Sequence, residues 1–262
     1  MSLTLDIGAT GMLAQQLNVD VISNNIANMT TTGFKRQRAE FQDLLYQTKV
    51  RPGAASSDQG TTIPAGIQQG LGVKAGSVYR INEQGALQVT GNQFDLANKG
   101  AGLFQITLPN GDTAYTRDGS FQVNQDGIMV NAKGFSLQPG ITIPADAVDV
   151  TINASGQVFV KIQGQTALSQ VGQIQTALFA NEAGLDAIGD NLFLETEASG
   201  SAVVDNPGQP GYGELEQGAL ETSNVNIVQE ITALIQAQRA YEMNSKVITA
   251  GDEMLSTITQ MR

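Results

Sequence analysis

From Leu3 the seam-forming positions recur at alternating steps of four and three: Leu3, Ile7, Thr10, Ala14, Leu17 and Val21, then Asn24 and Asn28. That spacing draws one narrow seam along a helix, apolar at its start and amide-bearing at its end. Gly8 and Gly11 lie beside the seam. A helical glycine costs about 1 kcal/mol against alanine, so the pair points to close backbone approach or deliberate softness. Near the other end, Asn226 followed three residues later by Gln229 reads as an N-cap with its box partner. A heptad follows through Ile227, Leu234, Tyr241, Ile248 and Leu255, widened by Ala233, Ala240, Val247, Met254 and Met261. A helix over 226–261 would be ~54 Å long at 1.5 Å per residue, longer than a small domain is wide, so it is expected to project.

Between these ends the pattern changes to period two. "LFQITLPNGDTAYT" alternates around Asn-Gly, "GSFQVNQDGIMVNAKGFSL" sets short strands between Asp-Gly and Lys-Gly, and "VDVTINASGQVFVKI" repeats the scheme. Residues 70–200 are expected to form antiparallel hairpins and meanders closing into one or two small β domains. The stretches 49–72 and 198–213, rich in Gly, Ser, Thr and Pro, read as connectors. The fold class is therefore α+β, with long terminal helices forming a coiled-coil-like core around a mostly antiparallel β middle.

The segment "SNNIANMTTTGFKR" at 23–36 joins the two regimes. Asn28 can end the helix, Thr30 to Thr32 prefer extended backbone, and Gly33 supplies positive φ for a sharp exit. Phe34 can anchor the turn, while Lys35, Arg36 and Arg38 are expected to form a small basic surface patch.

Composition narrows the function. Of 262 residues, 41 % are hydrophobic, 5 % aromatic and 29 glycine, which suits a turn-rich β body better than a dense aromatic centre. The net charge of −11 would repel a phosphate backbone, so nucleic acid is not an expected partner. Cysteine and histidine are absent, which removes thiol nucleophiles, Cys/His zinc sites and Ser-His-Asp triads. No apolar run reaches the ~20 residues of a membrane span, so direct membrane insertion is not expected. "MSLTLDIGATGMLAQQLNVD" lacks the positive n-region and unbroken h-region of a secretory signal. The terminal helices carry few charges and many amides, among them Gln15, Gln16, Asn25, Gln236, Gln238 and Asn244. Amides donate and accept in either direction, so such faces can pack against copies of themselves where a charged face would repel.

The stretch "AQQLNVDVISNNIANMTTTGFKRQRAEFQDLLYQT" resembles the N-terminal signature of the bacterial flagellar axial proteins of rod and hook. "YTRDGSFQVNQDG" and "ETSNVNIVQEITALIQAQRAYEMNSKVI" are similar to that family's middle and C-terminal motifs, so the likeness spans nearly the whole chain. Within the family, "DLLYQTKVRPGAASSDQGTTIPAGIQQGLGVK" looks most like the distal-rod insertion. One departure is that the start has neither the basic residue nor the aromatic with which the family usually opens.

The resemblance implies a discontinuous helical core from 1–45 and 215–262, an extended insertion at 46–72, and a β-rich outer region of one or two domains at 73–214. It implies a hollow helical homopolymer, with Leu3, Ile7, Ala14, Leu17, Val21 and the C-terminal heptad as packing positions. Asn24, Asn25, Asn28, Thr32, Gly33, Phe34 and Lys35 form the signature, and Tyr46, Arg51, Pro52 and Gly53 belong to a rod-stiffening insertion. The implied partners are the proximal rod proteins, the hook protein, the P- and L-ring proteins, and a rod cap or muramidase during assembly. The implied location is the periplasm-spanning basal body, reached through the flagellar type III apparatus, with no enzymatic activity, cofactor or metal.

Rival readings are weaker. A carboxylate hydrolase needs two acids ~5 to 9.5 Å apart, one with a raised pKa. Asp112, Asp118 and Asp126 instead sit beside glycines in expected turns. "NQDG" and "GDN" lack the alternating acids of a calcium loop. A proximal rod or hook protein remains the nearest alternative, separated from the distal rod by the insertion alone. The polar row Gln238, Ser245, Asp252 and Thr259 is a candidate lining for a channel. A lone chain has too little partner surface for the C-terminal stripe, so both ends are expected to order on joining the assembly.

Overall fold

The computed structural model of the chain describes residues 3–53, 64–164 and 167–260. They form two compact units: Met1–Ile26 with Gln37–Tyr79 and Asn226–Arg262, and Ala27–Arg36 with Arg80–Val225.

The first unit holds both long helices, α1 (Leu3–Ala27) and α2 (Ile227–Gln260), as the two terminal periodicities predict. The Asn226 carboxamide accepts the backbone N–H groups of Val228 and Gln229 at 3.1 and 3.3 Å and so caps α2. An Asn226→Ala change is expected to cost about 1 kcal/mol of helix stability. Thermal melting of the full-length protein followed at 222 nm checks it, and an unchanged midpoint would contradict the cap's role. The same unit contains a ribbon. Strand β1 (Gln37–Asp43) runs on into β2 (Tyr46–Val50), while β3 (Ile67–Gly70) runs on into β4 (Val73–Arg80). β2 pairs with β3 from Tyr46↔Gly70 to Val50↔Ile67, β1 pairs with β4, and Leu44 N–H bonds to Gly72 O at 2.9 Å. The stretch 49–72 expected as a connector therefore carries β3 and the end of β2. Its residues 54–63 lie outside the described residues.

The second unit is antiparallel β throughout. Strands β5 (Leu87–Val89) and β6 (Leu96–Lys99) lead into β7 (Leu103–Thr107) and β8 (Thr113–Thr116), a hairpin closed at Asn110-Gly111. β9 (Gln122–Val123), β10 (Met129–Val130) and β11 (Ser136–Leu137) continue the meander, and β11 returns to pair with β7. Asn124 and Asn131 each fold back on the two turns between them, accepting backbone N–H groups two and four residues ahead. β12 (Ala147–Ile152), β13 (Gln157–Ile162) and β14 (Ser169–Gln173) form a separate three-stranded sheet.

β15 (Thr176–Leu178), β16 (Asp186–Gly189), β17 (Leu192–Leu194) and β18 (Val203–Asp205) complete the large sheet around β7 and β8. β18 lies within the second expected connector. Finally β19 (Glu214–Gln217) and β20 (Ala219–Glu221) come back to pair with β6 and β5.

Period two divides the interior. Phe104, Ile106 and Ala114 face a large core with Phe121, Met129, Leu137 and Val158, where the rings of Phe104 and Phe121 meet edge to face at 5.3 Å. Leu103 and Tyr115 face a smaller core with Ala177, Phe179 and Leu185. The hub strands are thus covered on both sides.

Candidate functional site

The two helices run antiparallel, because Leu5 meets Gly251, Gly8 meets Ile248, Gly11 meets Asn244, and Asn25 reaches Glu230. A Cβ on Gly8 would lie 2.8 Å from Ile248 Cγ1, and one on Gly11 would lie 2.8 Å from Asn244 Nδ2. The glycines therefore mark close approach, one of the two readings their positions allow. On α2 the residues turned inward are Glu230, Ala237 and Gly251, with Asn244 half-buried. This row repeats every seven residues but is small or polar, so no apolar periodicity announces it.

The heptad expected to pack lies beside that seam. Leu234 and Ile248 are half-buried, whereas Ile227, Tyr241 and Leu255 are 44, 44 and 39 % exposed. On α1, Ala14 and Val21 are buried, Leu3, Ile7 and Leu17 are half-buried, and Asn24 is on the exposed side. Val228, Ile231, Ile235, Met243, Met254 and Ile258 also face outward. Beside them is an open groove of about 580 Å³, lined by Gln16, Val19, Gln238, Tyr241 and Glu242. α2 therefore carries an apolar surface that α1 leaves uncovered.

Asn25 is fully buried and acts as a clamp. Its carboxamide exchanges two 2.8 Å bonds with the backbone of Gln37 and donates to Glu230 Oε2 at 3.2 Å. Asn28 ends α1 and accepts the Thr31 hydroxyl at 3.1 Å. The three threonines lie in turns and not in extended chain, because Thr31 N–H bonds to Asn28 O at 3.2 Å and Phe34 N–H to Thr31 O at 3.3 Å. Thr32 O accepts from the Asn191 carboxamide at 3.1 Å, and Phe34 is half-buried. Gly33 has φ +68, and a Cβ there would sit 2.9 Å from the backbone of Arg117 and Asp118.

Lys35 departs from the expected basic patch. It is 8 % exposed, with its ammonium 2.6 Å from Glu221 Oε1 and 2.8 Å from Glu83 O. Glu221, 1 % exposed, also accepts Arg117 Nε at its other oxygen and Gly85 N–H at 2.8 Å. The Arg117 guanidinium goes on to Gly102 O, to Asn98 O at 2.8 Å and to Gly100 O at 2.6 Å. One carboxylate thus sits between two buried cations in a cluster with every Arg117 nitrogen engaged.

Burial alone would raise the Glu221 carboxyl, but Arg117 and Lys35 beside it hold it below the usual carboxylate range. Burial pushes the Lys35 ammonium down, and its contact with Glu221 restores only part of that. Acid therefore attacks the cluster through Glu221. With the folded value below the unfolded one of about 4.3, its contribution is complete above that pH and drains away as pH falls through the folded value. Urea midpoints of wild type and Glu221→Gln are expected to be well separated at pH 6 and to converge toward pH 3. A separation that does not shrink would contradict this linkage.

In the insertion, Tyr46 opens β2 and is 57 % exposed, beside exposed Leu45, and Ile67 is exposed at the other end of the ribbon, opposite Val50. Arg51, Pro52 and Gly53 follow in an exposed turn. The structure thus brings Gly33 and Lys35 of the N-terminal signature onto Arg117 and Glu221, two residues the sequence offered no reason to single out. No helix among the described residues is long and apolar enough to cross a membrane.

Three family descriptions match separate parts of the chain. They are "Flagella basal body rod protein" over 5–35, "Flagellar hook protein FlgE/F/G D1 domain" over 97–160, and "Flagellar basal body rod FlgEFG protein C-terminal" over 216–261. Each matched segment contributes one member of the cluster: Lys35, Arg117 and Glu221. The chain is 61 % identical over 258 residues to a flagellar basal-body rod protein FlgG of Caulobacter vibrioides, covering 98 % of both chains. It is 52 % identical over 256 residues to that of Agrobacterium fabrum, again covering 98 % of each. Against that of Buchnera aphidicola from Acyrthosiphon pisum it is 47 % identical over 258 residues, covering 98 % of this chain and 99 % of the relative.

Proposed function

We propose a mechanism from one premise: this chain belongs to the FlgG family of flagellar basal-body rod proteins. It is a structural subunit of the distal rod. In our reading α1 and α2, within the segments 1–45 and 215–262, build the inner layer of a hollow helical homopolymer, and the β region 73–214 lies outside it. The tube carries motor torque to the hook and lets exported subunits through, with Gln238, Ser245, Asp252 and Thr259 toward its bore. The subunit performs no catalysis and reaches the periplasm through the flagellar type III route. Proximal rod, hook and ring proteins are its neighbours, and a rod cap or muramidase acts with it during assembly.

The observation that carries this reading is the uncovered apolar row on α2. Covering such a surface is favourable and an apolar patch of this kind marks an interaction site, and copies of the same chain present the complementary helices at every position of a polymer. Replacing Ile231 and Ile235 by serine in cells that lack their own copy is expected to abolish swimming while the isolated protein melts within about 1 kcal/mol of wild type, since both residues are surface-exposed. Normal swimming would sink the reading.

The insertion 46–72 is the proposed stiffener, through its ribbon of β2 and β3. A two-stranded ribbon is marginal alone in water, so its exposed Leu45, Tyr46 and Ile67 are read as contacts to neighbouring subunits. Deleting 46–63 is expected to give rods that curve by electron microscopy; straight rods would remove that role.

A further inference from the structure

The strap Ala27–Arg36 belongs to the β unit yet contributes no strand to it. Residues 219–224 fasten much of it. Gly33 N–H bonds to Glu221 O at 2.8 Å, Lys35 to the Glu221 carboxylate at 2.6 Å, and Arg36 N–H to Asn224 Oδ1 at 2.7 Å. The same short segment holds the opposite bank. Asn224 Nδ2 donates to Ile81 O at 2.8 Å and Glu83 O at 3.0 Å, and Thr222 N–H reaches Ala86 O at 2.9 Å.

We propose that residues 219–224 are a latch, closed by Glu221 after the β7–β8 hub has formed, and that the strap has an unlatched state in which the hub remains folded. Chain distance sets the order first. Glu221 meets Lys35, Gly85 and Arg117 across 186, 136 and 104 residues, whereas β7 and β8 are joined by a tight turn. Long loops are costly to close before other contacts have drawn their ends together, so the hub precedes the latch. Charge then sets the same order. Burying Lys35 beside Arg117 without the carboxylate leaves two cations out of water with no counter-charge, so the strap stays solvated until Glu221 docks.

The latch also has a position in the chain that gives it consequence. The strap directly follows α1, and Val225 lies two residues before α2 begins. One carboxylate therefore secures both places where the chain leaves the β unit for its helices, and opening it would release both together.

Hydrogen exchange on the full-length protein tests this. In Glu221→Gln, amide exchange at Gly33, Arg36 and Gly85 is expected to accelerate about 100-fold, while amides of β7 and β8 change less than about threefold. Equal acceleration in both sets would show one cooperative block and overturn the latch, as would no acceleration in either. The wild-type chain supplies a second measurement that needs no variant. During refolding from urea, pulse labelling is expected to find Gly33 and Gly85 protected about tenfold more slowly than Phe104 and Ile106. Simultaneous protection, or protection of the latch first, would overturn the order.

Discussion

Replacing Arg117 by alanine is expected to cost the β unit about 3–5 kcal/mol, the penalty for breaking a buried ion pair by removing one partner. The loss has two parts. Glu221 would keep Lys35 and Gly85 N–H but lose its contact at Oε2. The carbonyls of Asn98, Gly100 and Gly102 would lose their shared donor. Arg117→Lys should recover only a part, since one ammonium cannot reproduce a planar fork that serves a carboxylate and three carbonyls. Lys35→Met should be milder, because Arg117 still neutralises Glu221. Urea unfolding of the three variants gives the ranking directly. A loss below about 1 kcal/mol for Arg117→Ala, the size of an exposed pair, would mean that the buried cluster adds no more than a surface one.

The second large effect is expected at the helix seam. Leucine at both Gly8 and Gly11 would drive side chains into Ile248 and Asn244, which already stand 2.8 Å from where a Cβ would begin. Overpacking of this kind costs about 1–3 kcal/mol per site and separates the helices. Alanine at the same positions is a different experiment. At Gly11 the neighbour is the movable Asn244 amide and at Gly8 the stiffer Ile248 Cγ1, neither of them backbone, and each alanine gains about 1 kcal/mol of helix propensity, so the double alanine variant should keep its helices. In a rod the leucine penalty recurs at every subunit, so cells carrying only the double leucine variant should not swim. Swimming cells would show that the seam tolerates separation.

Much of the architecture was legible in the residues. The two terminal periodicities gave helices whose ends fall within a residue or two of expectation, and Asn-Gly, Asp-Gly and Lys-Gly marked real hairpin turns because those pairs carry the backbone geometry themselves. The true α2 seam escaped because Glu230, Ala237, Asn244 and Gly251 have no hydrophobic signal; only the glycines of α1 hinted at it. Lys35 looked like a surface cation because its neighbours in sequence are Arg36 and Arg38, while its neighbour in space is 186 residues away. No local pattern encodes a partner at that separation. Residues 67–70 lie in the stretch 49–72 that reads as connector by composition, yet they pair with Tyr46–Val50, since Tyr, Thr and Val suit a strand once a second one arrives.

β7 serves two interiors at once, with Phe104 and Ile106 on one side and Leu103 on the other. A slip of one residue would exchange the two sets, setting the Phe104 ring and Ile106 against the lesser chamber and the Gln105 amide against the greater. Misalignment is thus penalised on both faces in the same step, and the strand proofreads its own placement without help from any loop.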